Sequence, residues 1–175
     1  MYESRMNAKK ITFTAVLMAM NIIMSTSVLS VPVPGGHMYL NDVIIVTAAV
    51  LLDPFCAFLV GGVGAFIGDM LFYPAPMFVS LVTHGLQAVV ISLIAHKAFR
   101  NKPEAASIVG TVVGWVICFT GYTLGRAFIY STPAYAVAKF PFQVLQTAVG
   151  SAIALVLLWR AGIVKLYRQW YYKAA

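Results

Sequence analysis

Four pairs of polar residues interrupt the apolar runs of this chain: Asp69 with Tyr73, His84 with Gln87, Tyr122 with Arg126, and Gln143 with Gln146. The first and third pairs are spaced i,i+4 and the other two i,i+3, so in helices each pair shares one face. Asn41 and Asp42 open a further apolar run. Together these residues offer carboxylates, a guanidinium, an imidazole, phenols and amides. Such a set suits the holding of a small polar molecule by hydrogen bonds and charge. It suits metal or phosphate chemistry poorly, because Asp42, Asp53 and Asp69 are 11 and 16 residues apart in sequence. Cys56 and Cys118 lie in apolar runs without a CxxC or Cys/His spacing and read as core thiols. No Walker-type glycine loop is present, so uphill transport would need another chain or an ion gradient.

The elements that must position these residues follow from composition. Of 175 residues, 61% are hydrophobic and 10% charged, and the mean hydropathy is +0.87. A soluble domain needs more polar surface than this, so the expected solvent is a bilayer and the expected fold class an all-α membrane protein. Apolar runs fall at about 11–30, 40–53, 55–73, 78–97, 106–129 and 136–159, with the second and third hinged at "LLDPF". A crossing takes roughly 20 residues, so these predict a bundle of six transmembrane helices, the second of them short or tilted. Residues 1–175 are then one transmembrane substrate-binding domain. The run after "MNAKK" has no small-residue cleavage site and is expected to remain as the first span.

Charge sets the expected orientation. Arg5, Lys9 and Lys10 precede the first run, Lys97, Arg100 and Lys102 follow the fourth, and Arg160, Lys165, Arg168 and Lys173 follow the sixth. Ten of the twelve basic residues thus lie at the two ends and in one even-numbered connection, which places both termini in the cytoplasm. The tail "KLYRQWYYKAA" alternates basic and aromatic residues. Next to a span this reads as anchoring in the lipid bilayer surface, and nucleic acid is not an expected partner.

In this topology every embedded polar residue falls in the outer half. The convergence of four polar stripes at one depth argues for a pocket, because ionisable groups in a membrane need a partner or a wet cavity. Two other uses stay open for Arg126: an ion pair with Asp69 or Asp42 that locks helices, or reach to the outer headgroups. Ordinary interhelical hydrogen bonds remain open for Gln87, Gln143 and Gln146. The stretch "VPVPGGHMYLNDV" joins the first two runs on the same side, and its prolines and glycines exclude a continuous helix. It is expected to form a lid with His37, Tyr39 and Asn41 facing the ligand; the alternative is a turn that only joins two helices.

The inner half carries Ala15-x-x-x-Ala19 in the first run and Gly64 and Gly68 in "GGVGAFIG" of the third. Small residues four apart leave a strip that another helix can approach closely. With this motif, the long outer loop and the segment containing "GDML" before a proline turn, the chain resembles the substrate-binding S components of energy-coupling factor (ECF) transporters, bacterial vitamin importers, in their riboflavin-transporter-like branch. The resemblance implies a vitamin held under the outer loops and partner docking through Ala15 and Ala19. It also implies a transmembrane coupling (T) subunit as partner, with two cytoplasmic ATPase subunits that hydrolyse ATP, so that this chain has no cofactor of its own. Hydroxymethylpyrimidine or pyridoxine is the favoured ligand, with riboflavin, pantothenate, folate and thiamine as alternatives. A small multi-pass membrane enzyme and a structural membrane protein are the readings from other classes. The residues expected to bind substrate are His37, Tyr39, Asn41, Asp69, Tyr73, His84, Gln87, Tyr122, Arg126, Gln143 and Gln146.

Overall fold

Helix starts in this chain are set by short polar side chains and prolines. The Asn7 side chain accepts from the Lys10 amide at 2.9 Å and opens α1, Ala8–Met24. Asp53 accepts from the Phe55 and Cys56 amides ahead of Pro54, at the start of α3, Pro54–Phe72. Pro103 opens α5, Pro103–Tyr130, and Thr132 with Pro133 opens α6, Pro133–Arg160. Each device satisfies or removes an amide that the first helical turn would leave orphaned. The remaining elements of this computed structural model are β1, Val31–Val33; β2, Gly36–Met38; α2, Asn41–Leu51; α4, Met77–Lys97; and α7, Ile163–Tyr172. It describes residues 7–26, 30–34, 36–99 and 101–172; Arg5, Gly35, Arg100 and Lys173, used in the sequence reading, lie outside them.

The protein is all-α apart from a two-stranded hairpin, with Val31 paired to Met38 and Pro32 to His37. The expected lid loop is therefore a β-hairpin. Four helices, α3 to α6, are long and apolar enough to cross a membrane. The first two runs are shorter as helices: α1 has 17 residues and turns off at Ser25, and α2 has 11. The reason α2 can be short is its position, since all of its residues are buried. A helix apolar all round belongs in the centre of a bundle. One side of α2 packs Ile45, Val46 and Ala49 with Ala88 and Ile91 of α4 and Ala154 and Leu158 of α6. The other packs Ile44, Ala48 and Leu52 with Leu17 of α1 and Cys56 and Val60 of α3.

Small residues let the outer helices close on this post. A Cβ on Gly62 of α3 would lie 2.9 Å from the Cα of Gly85 on α4, so the two backbones touch there. Gly64 and Gly68 face α1, where a Cβ on Gly68 would meet Ser25 Oγ at 2.5 Å. A π turn over Leu59–Val63 shifts the backbone ladder of α3, and Asn21 of α1 donates to its Val60 carbonyl at 2.7 Å. Ala15 and Ala19 lie on the opposite, exposed face of α1.

The end of the bundle away from the hairpin is closed by charge and aromatics. Lys10 is buried there, its ammonium 2.5 Å from the Asp53 carboxylate. The tail forms α7, which folds back so that Tyr167 and Trp170 pack on Phe13 with ring centroids 4.9 and 5.9 Å away. Asn7 Nδ2 also donates to the Tyr171 hydroxyl at 2.9 Å. Replacing Asp53 by Asn keeps an oxygen for the helix cap but leaves the Lys10 charge unmatched. Unfolding in detergent should show a loss of about 3–5 kcal/mol, most of it recovered in a Lys10→Met, Asp53→Leu double variant. An Asp53→Asn protein as stable as the parent would mean that this ion pair does not hold the end together.

Candidate binding site

A cavity of about 290 Å³ opens beneath the hairpin, among the chain ends of α1 to α6, near the lower end of the range for small-molecule sites. His37 and Tyr39 enter from the hairpin, Asn41 from the start of α2, and Asp69 and Tyr73 from the end of α3. His84 comes from α4, Tyr122 and Arg126 from α5, and Gln143 and Gln146 from α6. Ten of the eleven residues expected at a site therefore surround one cavity, with His37 and Tyr73 at its exposed rim. Gln87 is the eleventh, and it is fully buried behind His84.

Helix geometry explains part of this convergence. At 3.6 residues per turn, positions four apart drift round the helix, so Tyr122, Arg126 and Tyr130 would diverge on a regular α5. The last five residues of α5, Arg126–Tyr130, form a π turn, which takes up more residues and reverses the drift. All three side chains then line the cavity. Tyr122 is tied in place through Ser80, whose hydroxyl donates to Asp69 and lies 2.6 Å from the Tyr122 hydroxyl. Since the Ser80 proton goes to the carboxylate, Tyr122 is the donor to Ser80.

A second chain runs behind the cavity. Gln87 Nε2 donates to Asp42 Oδ1 at 2.8 Å, and Gln87 Oε1 lies 2.7 Å from His84 Nδ1. A carboxylate only accepts, so the amide nitrogen must face Asp42 and its oxygen must accept from an Nδ1–H of His84. Nδ1 is thereby committed to Gln87, and the ring, part of the cavity lining, stands edge-on to Tyr122 at 5.2 Å. Asp42, His84 and Cys118 each bring a donor atom within 4.8 Å of the others, a carboxylate, imidazole and thiol set of the zinc type. Gln87 already bonds two of the three, so a metal would have to displace it.

The ions are not paired with one another. Among the described residues neither Asp69 nor Asp42 is within ion-pair distance of Arg126, which instead lies 5.9 Å from the Tyr130 ring centroid. The hairpin is held from α6: Lys139 Nζ donates to the His37 carbonyl at 2.6 Å, and the Tyr39 amide donates to Gln146 Oε1 at 3.1 Å. Burial, then the nearby Asp69 charge and Tyr73, push the Tyr39 phenol up, so it stays a neutral donor. At the other margin Asn41 Nδ2 donates to Ser25 Oγ at 2.7 Å.

Sequence reasoning missed Lys139, Ser80 and Tyr130. A signal for Lys139 existed: with Arg126 it is one of the two basic residues left over from the topology count, and it precedes Gln143 and Gln146 at i, i+4, i+7 spacing. Ser80 had none, because a lone serine in an apolar run is common in membrane helices.

A bundle of apolar helices, four of them able to cross a membrane, with a polar cavity beneath a hairpin at its end has the architecture of a membrane protein with a pocket of small-molecule size. Residues 5–163 match the family described as ECF-type riboflavin transporter, S component, and the chain belongs to that family. It is thus a transporter S component of the vitamin-transporter type, a multi-pass cell-membrane protein and not an enzyme. The chain is 28% identical over 170 residues to the thiamine precursor transporter HmpT of Lactococcus lactis subsp. cremoris, covering 93% of this chain and 95% of that one. It is 29% identical over 147 residues to an uncharacterised protein from the gap 3′ region of Pyrococcus woesei, covering 81% and 97%. A solved S component of a bacterial ECF transporter shares its fold, with a TM-score of 0.67 at 18% identity over 90% of this chain and 97% of that one.

Replacing Gln87 by Leu should destabilise the protein even without ligand, because it strands a buried carboxylate and an imidazole. A loss of about 2–3 kcal/mol is expected in detergent unfolding, whereas Gln146→Leu at the cavity wall should cost less. Equal stability of Gln87→Leu and the parent would remove the structural role given to this chain of bonds.

Proposed function

We propose that this S component captures a small heteroaromatic vitamin or vitamin precursor in the cavity from the outer side of the membrane. It then delivers the ligand inward while docked on a T subunit and two ATPases. The observation that carries the reading is the cavity itself: charged and amide side chains from four helices, with His84 of a fifth and His37 and Tyr39 of the hairpin region, converge there and leave hydrogen-bonding capacity unspent. S components work with such subunits as a family, and the absence of a nucleotide loop from this sequence is consistent with energy supplied from outside the chain.

In the proposed arrangement α1 and α2 complete six crossings with α3 to α6, both termini are cytoplasmic, and the basic residues of the ends and of the α4–α5 connection face inward. The hairpin serves as the lid. A hydroxymethylpyrimidine or pyridoxine ring is the favoured ligand, a choice supported by the relative named as a thiamine precursor transporter. Docking is assigned to the exposed strip of Ala15 and Ala19, whose small side chains allow close helix approach.

Mass spectrometry of protein purified in detergent should find a heteroaromatic molecule retained by the parent. His84→Ala, Arg126→Ala and Gln146→Ala should each weaken binding by calorimetry, Arg126→Ala about ten- to hundredfold, while the proteins stay folded. Unchanged affinity in all three would remove the cavity as the binding site. Enlarging Ala15 and Ala19 together to Trp should leave binding intact but abolish co-purification with T and ATPase subunits and uptake by cells. Normal assembly and uptake by that double variant would show the docking face to be elsewhere.

A further inference from the structure

The cavity carries a charge imbalance of its own. Arg126 and Lys139 are 7% and 3% exposed, both line it, and among the described residues neither has a carboxylate within ion-pair distance. Asp69 is the one carboxylate in the lining, and it accepts from Ser80. Asp42 is behind the wall, bonded to Gln87. Arg126 faces the Tyr130 ring, which supplies no negative charge. Lys139 uses one N–H on the His37 carbonyl, and an ammonium has three. Buried cations are unfavourable without counter-ions, and the partners these two have, the Tyr130 side chain and the His37 carbonyl, are neutral.

We propose that Arg126 and Lys139 form an anion subsite, and that the molecule this protein carries bears an ionised oxygen there: a carboxylate, a phosphate or an acidic ring hydroxyl. The proposal rests on the vitamin-binding reading and narrows it. A guanidinium offers paired donors and an ammonium a point charge, and charge-assisted bonds to an anionic oxygen are about twice as strong as neutral ones. Asp69, elsewhere in the lining, accepts hydrogen bonds and suits a ring N–H or alcohol. This polarity separates the two favoured rings. A hydroxypyridine such as pyridoxine has a ring hydroxyl made acidic by its protonated nitrogen, whereas hydroxymethylpyrimidine is neutral and gains an anion only as its phosphate ester.

The test is calorimetry on the full chain in detergent with four probes: pyridoxine, hydroxymethylpyrimidine, its phosphate ester and nicotinate. At least one anionic probe should bind more tightly than neutral hydroxymethylpyrimidine, and which one does so identifies the source as ring hydroxyl, phosphate or carboxylate. Arg126→Gln should weaken that probe about ten- to hundredfold and weaken hydroxymethylpyrimidine by a smaller factor. Lys139→Gln should act in the same direction, and the ranking of probes on the parent protein needs no variant to fold. Tightest binding of hydroxymethylpyrimidine, weakened equally by Arg126→Gln, would overturn the anion subsite and leave the vitamin reading in place. A neutral molecule found bound after purification would do the same. Failure of all four probes, together with the absence of any co-purified small molecule, would overturn both.

Discussion

A polar group in the middle of an apolar bundle has to find its partner inside the protein, and the tightest case here is the Asp42 carboxylate. It is fully buried in the first turn of α2, the helix that everything else packs around. The N-terminus of a helix favours negative charge, and Gln87 of α4 donates to Oδ1, while Oδ2 has no hydrogen-bond partner among the described residues. Gly150 of α6 makes the third contact possible: a Cβ there would be 2.8 Å from Asp42 Cβ, so only glycine lets α6 close on this point. Lys139, Gln143, Gln146 and Gly150 lie at i, i+4, i+7 and i+11, one stripe of α6. The contact at Gly150 therefore turns the rest of that stripe toward the cavity.

The same constraint divides the molecule into two ends. At one, Lys10 and Asp53 neutralise each other, and α7 covers α1 with aromatic rings. At the other, the ions are held apart on different helices and bonded to neutral groups, Asp69 to Ser80 and Lys139 to a carbonyl. Keeping opposite charges apart inside a buried cavity is unfavourable for a protein alone, which is the ground for proposing an ionised ligand there.

Much of this was legible in the sequence because pairs of polar residues at helical spacing survive any small error in helix boundaries. Tyr122 and Arg126, and Gln143 and Gln146, line the cavity together as their spacing requires, while Tyr73 joins Asp69 there from just past the end of α3. Gln87 was legible as polar and facing inward but not as a second layer, since spacing fixes a face and says nothing of depth within it. The short α2 read as a doubtful span because length rules assume contact with lipid, while this helix touches protein on every side. The hairpin could not be read as such: Pro32 pairs with His37 although proline lacks an amide to donate, and only an isolated two-stranded ribbon tolerates that without loss. Lys10 was counted as a topology charge, and its partner Asp53 lies 43 positions away, beyond any local pattern.

The hairpin and the cavity are coupled through α6. Lys139 and Gln146 hold the backbone of His37 and Tyr39, and both side chains also line the space below. An ammonium has three protons to place, and the His37 carbonyl takes one of them. An acceptor entering the cavity meets the other two and so acts on the same nitrogen that fixes the hairpin. Charge on that acceptor strengthens the hold of Lys139 on the cavity side without requiring the bond to His37 to break. The hairpin and the cavity beneath it thus share one side chain, Lys139.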